Sequence, residues 1–172
     1  KKNYKNNKKN YIVMKIFIIG CGRILKKHLD SIKILKKELQ IVGIADIKKT
    51  RLSAIAKKIN VEKFLDYKKG IKKTKPHLVS ILTPSGNHAK NIIDVLRLKK
   101  DVIVEKPMCL KISDGEKIIK LAKKNKKRIF VVMQNKFNLP VVKLREDLNK
   151  LKFGNVFHLS VIVRWMRDQR YY

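Results

Sequence analysis

Short apolar runs alternate with basic amphipathic stretches along most of this chain, and this alternation constrains its fold more than any other feature. The runs have the length of strands, and the stretches between them are long enough for single helices. Strands that alternate with helices pair in parallel, because each helix returns the chain to the start of the next strand by a right-handed crossover. The sequence therefore predicts an α/β fold with a parallel sheet.

The hydrophobic pattern places each element before any motif is considered. The predicted strands cover residues 15–19, 41–45, 63–65, 78–82, 102–104 and 129–133. The predicted helices cover residues 22–38, 48–59, 86–98, 112–124 and 138–150, with a helical turn near residues 67–74. These elements fit within the 172 residues of the chain as one domain of usual size and a piece of another.

The last stretch of the chain has a different pattern. Apolar and polar residues alternate over residues 156–165, which predicts a half-buried strand of an antiparallel sheet. A single strand is not stable alone, so we expect this one to open a truncated α+β domain and the chain to be a fragment of a longer protein. The apolar face of the predicted strand carries Phe157, Leu159, Val161, Val163 and Trp165.

The formal net charge of +31 raises the question of a polyanionic partner. Of the 44 basic residues 36 are Lys and 8 are Arg, and many lysines fall in pairs on predicted solvent faces. Sites that read bases or bind phosphate prefer Arg, and no helix-turn-helix or RNA-binding aromatic pattern accompanies the lysines. The Lys excess is typical of an A/T-rich genome. We expect no specific nucleic-acid partner, with polyanion binding as the alternative.

Cysteine content and hydropathy exclude further classes of protein. Cys21 and Cys109 form no CxxC pair and lie at no zinc-finger spacing from a His, so we expect neither a metal site nor a disulfide framework. No apolar run approaches the roughly 20 residues of a membrane helix. The basic residues 1–10 lack the apolar segment of a secretory leader. We expect a cytoplasmic protein without a membrane partner, in which residues 1–13 form a disordered tail.

The strongest local motif is a buried strand that runs through Gly20-Cys21-Gly22 into a helix. Gly20 permits a tight turn, and Gly22 lets the backbone approach a pyrophosphate at the helix N-terminus, where N–H groups attract anions. Leu25 stands at the third position of the motif, where a small residue is usual. Taken alone, the motif also fits an ordinary strand–turn–helix. With the alternating elements it favours a Rossmann-type, doubly wound parallel sheet.

Asp46 supports the interpretation of the glycine motif as part of a dinucleotide-binding site. It ends the second predicted strand, 26 positions after Gly20, where a carboxylate accepts hydrogen bonds from the adenosine ribose and repels a 2′-phosphate. NAD is therefore favoured over NADP, although the cations Lys48, Lys49 and Arg51 follow closely. A helix N-cap is an alternative role for Asp46 that is compatible with cofactor binding.

Thr83-Pro84 follows the fourth predicted strand, at the sheet edge where ligands bind in open α/β folds. Pro84 sets a turn, and Ser85 or Asn87 is suited to cap the helix that comes after it. His88 on the first helical turn is a candidate contact for the cofactor. The alternative for a lone His is a purely structural role.

Glu105-Lys106-Pro107 places an acid and a base after the fifth strand. A Lys beside a nicotinamide is able to bind or deprotonate a substrate hydroxyl, if desolvation and nearby positive charge lower its pKa. Considered alone, the Glu-Lys pair also fits an ordinary protein surface.

In their order and spacing these motifs resemble the Gfo/Idh/MocA family of nicotinamide-dependent sugar oxidoreductases. Glu-Lys-Pro is that family's most specific mark, and the resemblance runs over residues 14–172. Residues 134–138 and 163–172 resemble a narrower group, the UDP-N-acetyl-2-amino-2-deoxyglucuronate 3-dehydrogenases of surface polysaccharide synthesis. The motifs that carry the family resemblance are Gly20-x-Gly22, Asp46, Thr83-Pro84-x-x-Asn87-His88 and Glu105-Lys106-Pro107.

The resemblance implies an NAD cofactor and assigns roles to matching residues. Lys106 is implied to be catalytic and to reach the substrate hydroxyl, while Glu105 contacts the nicotinamide ribose. The family's proton acceptor lies in an Asp-x-x-x-His motif of a second domain, which this sequence does not contain. The implied cofactor-binding residues are Gly20, Gly22, Arg23, Ile24, Asp46, Leu82, Thr83, Pro84, His88, Glu105 and Gln134. The implied substrate-binding residues are Lys106, Asn135, Arg164 and Trp165.

The resemblance also divides the chain and sets the functional alternatives. Residues 14–135 are expected to form an NAD-binding Rossmann domain, and residues 136–172 to begin a substrate and oligomerisation domain. The full protein is expected to oxidise a sugar hydroxyl, at C3 of the nucleotide sugar named above, and to assemble as a homo-oligomer, a dimer or a tetramer. The alternatives are another sugar or inositol dehydrogenase of the family and a non-catalytic NAD-binding regulator.

Overall fold

One six-stranded parallel sheet organises the first part of the chain in the computed structural model, which describes residues 13–56, 59–166 and 168–169. The strands are β1 (Met14–Ile19), β2 (Leu39–Ala45), β3 (Glu62–Phe64), β4 (Leu78–Ile81), β5 (Asp101–Val104) and β6 (Ile129–Val131). The helices are α1 (Leu25–Ile34), α2 (Lys49–Ala56), α3 (Tyr67–Thr74), α4 (His88–Arg97), α5 (Ile112–Asn125) and α6 (Leu139–Asn149). Strands and helices alternate as the sequence predicts.

The strand order is β3-β2-β1-β4-β5-β6, and every neighbouring pair is parallel. The order reverses at β1, which lies between β2 and β4. In doubly wound sheets ligands bind beyond the carboxyl ends of the strands at this point of reversal. The predicted Rossmann-type fold is confirmed, and its topology brings the segments that follow β1, β2, β4 and β5 to one edge.

Helices cover both faces of the sheet and produce two separate apolar clusters. Phe17 and Ile19 of β1 point to the cluster with α3, α4 and α5, whereas Ile16 and Ile18 point to the cluster with α1 and α2. Burial on both faces explains why β1 is continuously apolar over Ile16–Ile19 instead of alternating. Phe17 lies so close to Gly43 and Gly70 that a Cβ at either position would approach its ring to 2.7 or 2.6 Å.

Helix α1 differs from its predicted range, since it ends at Ile34 and not near residue 38. The backbone carbonyl of Leu35 accepts hydrogen bonds from the N–H groups of both Glu38 and Leu39, at 2.9 and 2.8 Å. These bonds turn the chain from the helix into β2. The apolar periodicity that suggested a longer helix therefore includes the turn, where Leu35 is 44% exposed.

The chain divides into two compact units, the second of which begins at Gln134. In this second unit, residues 134–137 form a 3-10 turn and Pro140 occupies the first turn of α6. The predicted strand over residues 156–165 is not formed, which corrects the sequence-based expectation. Alternation defines two faces, but a strand also needs backbone partners, and the described residues provide none for this segment. Phe157 is accordingly 94% exposed.

Some predictions concern residues outside the described ranges. They include most of the expected tail, residues 1–12, and the final residues 167 and 170–172 of the family resemblance. Among the helices that the structure does describe, none is both long enough and apolar enough to cross a bilayer.

Candidate functional site

The loop after β1 is built on Gly20, which adopts a positive φ of 99°. A Cβ at this position would approach the backbone carbon and oxygen of Leu82 to 2.8 Å, so a larger residue cannot be accommodated without moving the chain. The Gly20 N–H donates to the carbonyl of Ala45 at 2.8 Å, and the Leu82 N–H donates to that of Ile19 at 2.7 Å. These contacts lock the loop between the ends of β2 and β4.

Gly22 has the opposite environment, because a Cβ added there would meet no described atom within 4 Å. Its backbone therefore borders open space immediately before α1 begins at Leu25. Leu25 itself is 1% exposed and packs in the apolar cluster beneath α1, which explains how the loop tolerates a large residue at the third motif position. Open space before a helix N-terminus fits a pyrophosphate, and the role of Gly22 in binding one stays a prediction.

Asp46 ties the loop to the end of β2. One carboxylate oxygen accepts the N–H of Cys21 and the other accepts the N–H of Lys48, both at 2.8 Å. The Arg51 guanidinium lies 3.6 Å away, and the Asp46 side chain is only 3% exposed. The carboxylate thus stabilises the turn before α2 and does not cap the helix itself, because the N–H groups of Arg51 and Leu52 donate to the carbonyl of Lys48. Its position beside the glycine loop is the one expected for a ribose acceptor.

This arrangement keeps the Cys21 thiol protonated and unreactive. Burial, with the negative charge of Asp46 adding to it, raises the pKa of the Cys21 thiol to about 12. The thiol is also 3.8 Å from the carbonyl oxygen of Ala45, to which it donates a weak hydrogen bond. Cys21 is therefore a neutral packing residue of the loop and not a nucleophile.

The segment after β4 is held by two side chains of α4. The Thr83 hydroxyl donates to the side-chain oxygen of Asn91 at 2.7 Å. His88 is 1% exposed, and its two ring nitrogens lie 2.6 Å from the carbonyl oxygen of Pro107 and 2.8 Å from that of Thr83. Because protein carbonyls occupy both nitrogens, the ring has no polar atom left for the cofactor. His88 therefore bridges two loops through its ring nitrogens, and its role as a cofactor-binding residue stays a prediction.

A polar cluster lies further along α4. The Tyr67 hydroxyl donates to Asp94 at 2.7 Å, and the Lys68 ammonium lies 2.8 Å from the same carboxylate oxygen. Burial, followed by the hydrogen bond to Asp94, raises the pKa of Tyr67 to about 12. Burial alone would raise the pKa of Asp94, but the hydrogen bonds from Lys68 and Tyr67 hold it below its ordinary value. This cluster joins α3 to α4.

The segment after β5 presents an acid and a base in different environments. The Glu105 side chain is 13% exposed, and its Oε1 lies 2.8 Å from Nε2 of His28 on α1. Lys106 is exposed, and the peptide bond between Lys106 and Pro107 is cis. Glu105 is therefore fixed against the sheet while the Lys106 side chain reaches outward at the same edge.

His28 is the site residue that the motifs do not indicate. It lies three residues after Leu25 and four before Ile32, both of which are buried under α1. That helical spacing places His28 on the sheet-facing side and is the one signal in the sequence that could have drawn attention to it.

The remaining predicted site residues fall into two groups. Leu82 is 5% exposed in the cluster under α1, and Arg23 and Ile24 lie in the loop around Gly22. Gln134, Asn135, Arg164 and Trp165 belong to the second unit, where Trp165 is 66% exposed, and their substrate and cofactor roles stay predictions. Within the described ranges, no three His, Cys, Asp or Glu side chains are grouped so that they could hold a metal ion.

Known proteins resemble both the sequence and the fold. The chain is 27% identical over 152 residues to myo-inositol 2-dehydrogenase of Thermotoga maritima, a match that covers 88% of this chain and 45% of that protein. It is 23% identical to D-glucoside 3-dehydrogenase of Escherichia coli, over 84% of this chain and 41% of that protein. The chain thus spans less than half the length of these curated relatives.

A solved structure matches more of the chain. The WlbA dehydrogenase from Bordetella pertussis, crystallised with NADH and UDP-GlcNAcA, superposes with a TM-score of 0.89 at 28% identity, over 94% of this chain and 49% of that one. The model of the Gfo/Idh/MocA oxidoreductase family, described as an NAD-binding Rossmann fold, matches residues 14–133. Since that match takes in the whole sheet and every loop at its carboxyl edge, the chain belongs to the Gfo/Idh/MocA oxidoreductase family, with the sheet as its NAD-binding Rossmann domain.

Proposed function

We propose that the full protein oxidises a secondary hydroxyl of a nucleotide-activated sugar with NAD, at C3 of UDP-N-acetyl-2-amino-2-deoxyglucuronate. The observation that carries the proposal is the convergence of Gly22, Asp46, Glu105 and Lys106 at one sheet edge, beside open space. The likeness to a dehydrogenase crystallised with NADH and UDP-GlcNAcA supports the nucleotide sugar as substrate.

The residues of the loop fit the cofactor in size and polarity. Gly22 leaves room for the pyrophosphate, and we expect Asp46, which lies beside this loop, to accept hydrogen bonds from the adenosine ribose hydroxyls. When bound, NAD accepts a hydride from the carbon that carries the substrate hydroxyl. We expect NADH to bind more tightly than NADPH, because the Asp46 carboxylate repels a 2′-phosphate.

Lys106 acts on the substrate oxygen. Its ammonium donates a hydrogen bond to the hydroxyl and stabilises negative charge on that oxygen as the proton leaves. Glu105 orients the nicotinamide ribose, and a group of the second domain receives the proton. We propose that this second domain opens after residue 135. Asn135, the last residue of the Rossmann domain, then contributes to substrate binding together with Arg164 and Trp165 of the second domain.

Cofactor binding is tested by titrating the chain with NADH and following the fluorescence of the dinucleotide. We expect a Kd within the roughly 1 µM to 1 mM range usual for enzyme ligands. Gly22→Ala should weaken binding about tenfold or more, because the added methyl group enters the pyrophosphate space, while leaving the Tm unchanged. A wild-type chain that binds no NADH at millimolar concentration contradicts the proposal.

Substrate choice is tested with protein expressed from the entire reading frame. Reduction of NAD is followed at equal concentrations of UDP-N-acetyl-2-amino-2-deoxyglucuronate and of myo-inositol. We expect turnover of the nucleotide sugar and its loss in Lys106→Ala, whose NADH affinity should stay near that of the wild type. Turnover of myo-inositol alone would instead make the protein an inositol dehydrogenase, which the Thermotoga maritima relative supports.

A further inference from the structure

The Glu105 side chain is paired with a residue 77 positions away in the sequence. Its Oε1 lies 2.8 Å from Nε2 of His28, and the two side chains are only 13% and 16% exposed. A partly buried carboxylate gains more from a hydrogen-bond donor than an exposed one, because water competes less for it. The pair is therefore well placed to fix the Glu105 side chain in a single orientation.

Helix α1 in turn fixes the position of His28. Leu25 and Ile32 flank it at helical spacing and are 1% and 8% exposed, so the backbone that carries His28 cannot shift without disturbing the packing against the sheet. The same helix begins next to Gly22, where the pyrophosphate is proposed to bind. Helix α1 thus connects the glycine loop to the Glu105 carboxylate through one rigid element.

The segment that contains Glu105 is also held from the other face of the sheet. His88 on α4 bonds the Pro107 carbonyl at 2.6 Å, and α4 belongs to the apolar cluster opposite the one beneath α1. Two histidines from opposite faces therefore bracket Glu105, Lys106 and Pro107. His88 secures the backbone of this segment, which leaves the orientation of the Glu105 side chain to His28.

We propose that His28 is a positioning residue for cofactor binding: by donating to Oε1 of Glu105, it directs the other carboxylate oxygen towards the ribose of the nicotinamide. The inference rests on the proposed function, in which Glu105 contacts that ribose. A side chain already held in the binding orientation loses less conformational entropy when the ligand arrives, and the ligand binds more tightly as a result. His28 itself needs no contact with the cofactor.

The experiment compares three variants of His28 by NADH titration of the chain. His28→Leu removes the donor, and His28→Asn keeps an amide that is too short to reach the carboxylate. His28→Gln places an amide nitrogen at a reach similar to Nε2. We expect NADH affinity to fall about tenfold in the Leu and Asn variants, as for loss of one hydrogen bond to a charged group, and to be restored within about threefold by Gln.

His77→Leu is the matched control, because this His also makes a long-range hydrogen bond, in which its Nδ1 accepts the Lys15 N–H at 3.0 Å, but at the amino ends of the strands. We expect it to bind NADH like the wild type. If His28→Leu does not fold, the Asn and Gln variants decide the question, since both are polar and differ in reach.

Two results overturn the inference. If NADH affinity is unchanged in the Leu and Asn variants, His28 does not position Glu105. The proposed function would still stand in that case, because the wild-type chain binds NADH. If the Asn and Gln variants lose NADH affinity and Tm to the same extent as each other, His28 has only a packing role. Absence of binding in the wild-type chain would instead contradict the proposed function itself.

Discussion

Two regions of the chain have apolar residues at strand-like spacing, yet only one of them uses these residues to build a sheet. β1 has neighbours on both sides, and its residues Ile16–Ile19 are at most 3% exposed. Residues 156–165 alternate between apolar and polar side chains, but the structure assigns them no strand. The difference shows that the pattern sets which face a residue occupies, whereas hydrogen bonds to a neighbouring strand decide whether the strand exists.

This difference can be tested by substituting the same type of residue in each of the two regions. Phe gives the largest expected effect on the free energy of unfolding. Phe17 is fully buried and packs against Phe64 with ring centroids 5.8 Å apart, whereas Phe157 is 94% exposed. We expect Phe17→Ala to lower the free energy of unfolding by about 3–5 kcal/mol and Phe157→Ala to change it by less than about 0.5 kcal/mol.

Urea unfolding followed by far-UV circular dichroism measures both values, because the signal reports the sheet and its helices. Tryptophan fluorescence is less suitable, since Trp165 lies in the second unit. Similar losses in the two Phe variants would contradict the difference between the regions.

The aspartates give the next largest effect. Asp94 is paired with Lys68 and Tyr67 inside the sheet unit, and its side chain is 10% exposed. We expect Asp94→Asn to lower the free energy of unfolding by about 1–2 kcal/mol through loss of the charge-assisted hydrogen bonds. Asp147 of α6 pairs with Lys152 and Lys143, whose side chains are 50% and 62% exposed, so Asp147→Asn should have a smaller effect that salt suppresses.

The pH dependence of stability follows from the lowered pKa of Asp94. Because the unfolded carboxyl titrates near its ordinary pKa of 3.8, the charge stabilises the fold above that pH. The contribution is lost as the pH falls below 3.8 and through the lower folded pKa. Unfolding experiments between pH 3 and pH 7 should therefore show a larger loss of stability on acidification in the wild type than in Asp94→Asn. Parallel curves would argue against this role.

The serines give a smaller effect of opposite sign. Ser80 of β4 is 1% exposed between Ile18 and Ile103 of the flanking strands, and no described residue hydrogen-bonds its hydroxyl. Since an unsatisfied buried hydroxyl is unfavourable, Ser80→Ala should raise the free energy of unfolding by about 1 kcal/mol. Ser160, whose hydroxyl bonds His158 on the exposed segment, should tolerate Ala without measurable change. A destabilised Ser80→Ala variant would show that the hydroxyl has a partner.

The two cysteines differ in burial, and we expect them to differ in reactivity for the same reason. Cys21 is 7% exposed with a pKa raised to about 12 by burial, whereas Cys109 is more accessible. Alkylation of the folded chain at pH 8, followed by peptide mass analysis, should label Cys109 well before Cys21. Cys21 should react only after urea is added. Equal labelling rates would show that the glycine loop opens in solution, and bound NADH would then be expected to slow the reaction of Cys21.

Much of the site could be predicted because it follows from topology. Gly20, Asp46 and Glu105 each come directly after a strand, and Thr83 comes one residue later. Parallel strands bring their carboxyl ends to one edge. The pairing of His28 with Glu105 could not be predicted in this way, since 77 positions separate the two residues and none of the motifs includes His28. The two carbonyl contacts of His88 also depend on how loops meet in space.

The sequence by itself determined the order of the elements, the two-sided burial of the sheet and the position of the glycine loop. Each of these depends on local spacing and on the conformational range of single residues such as Gly20. The tertiary structure decided which polar groups pair and whether residues 156–165 form a strand. Hydrogen bonds and ion pairs require donors and acceptors to meet at about 3 Å, a condition that depends on packing between distant segments and not on spacing along the chain.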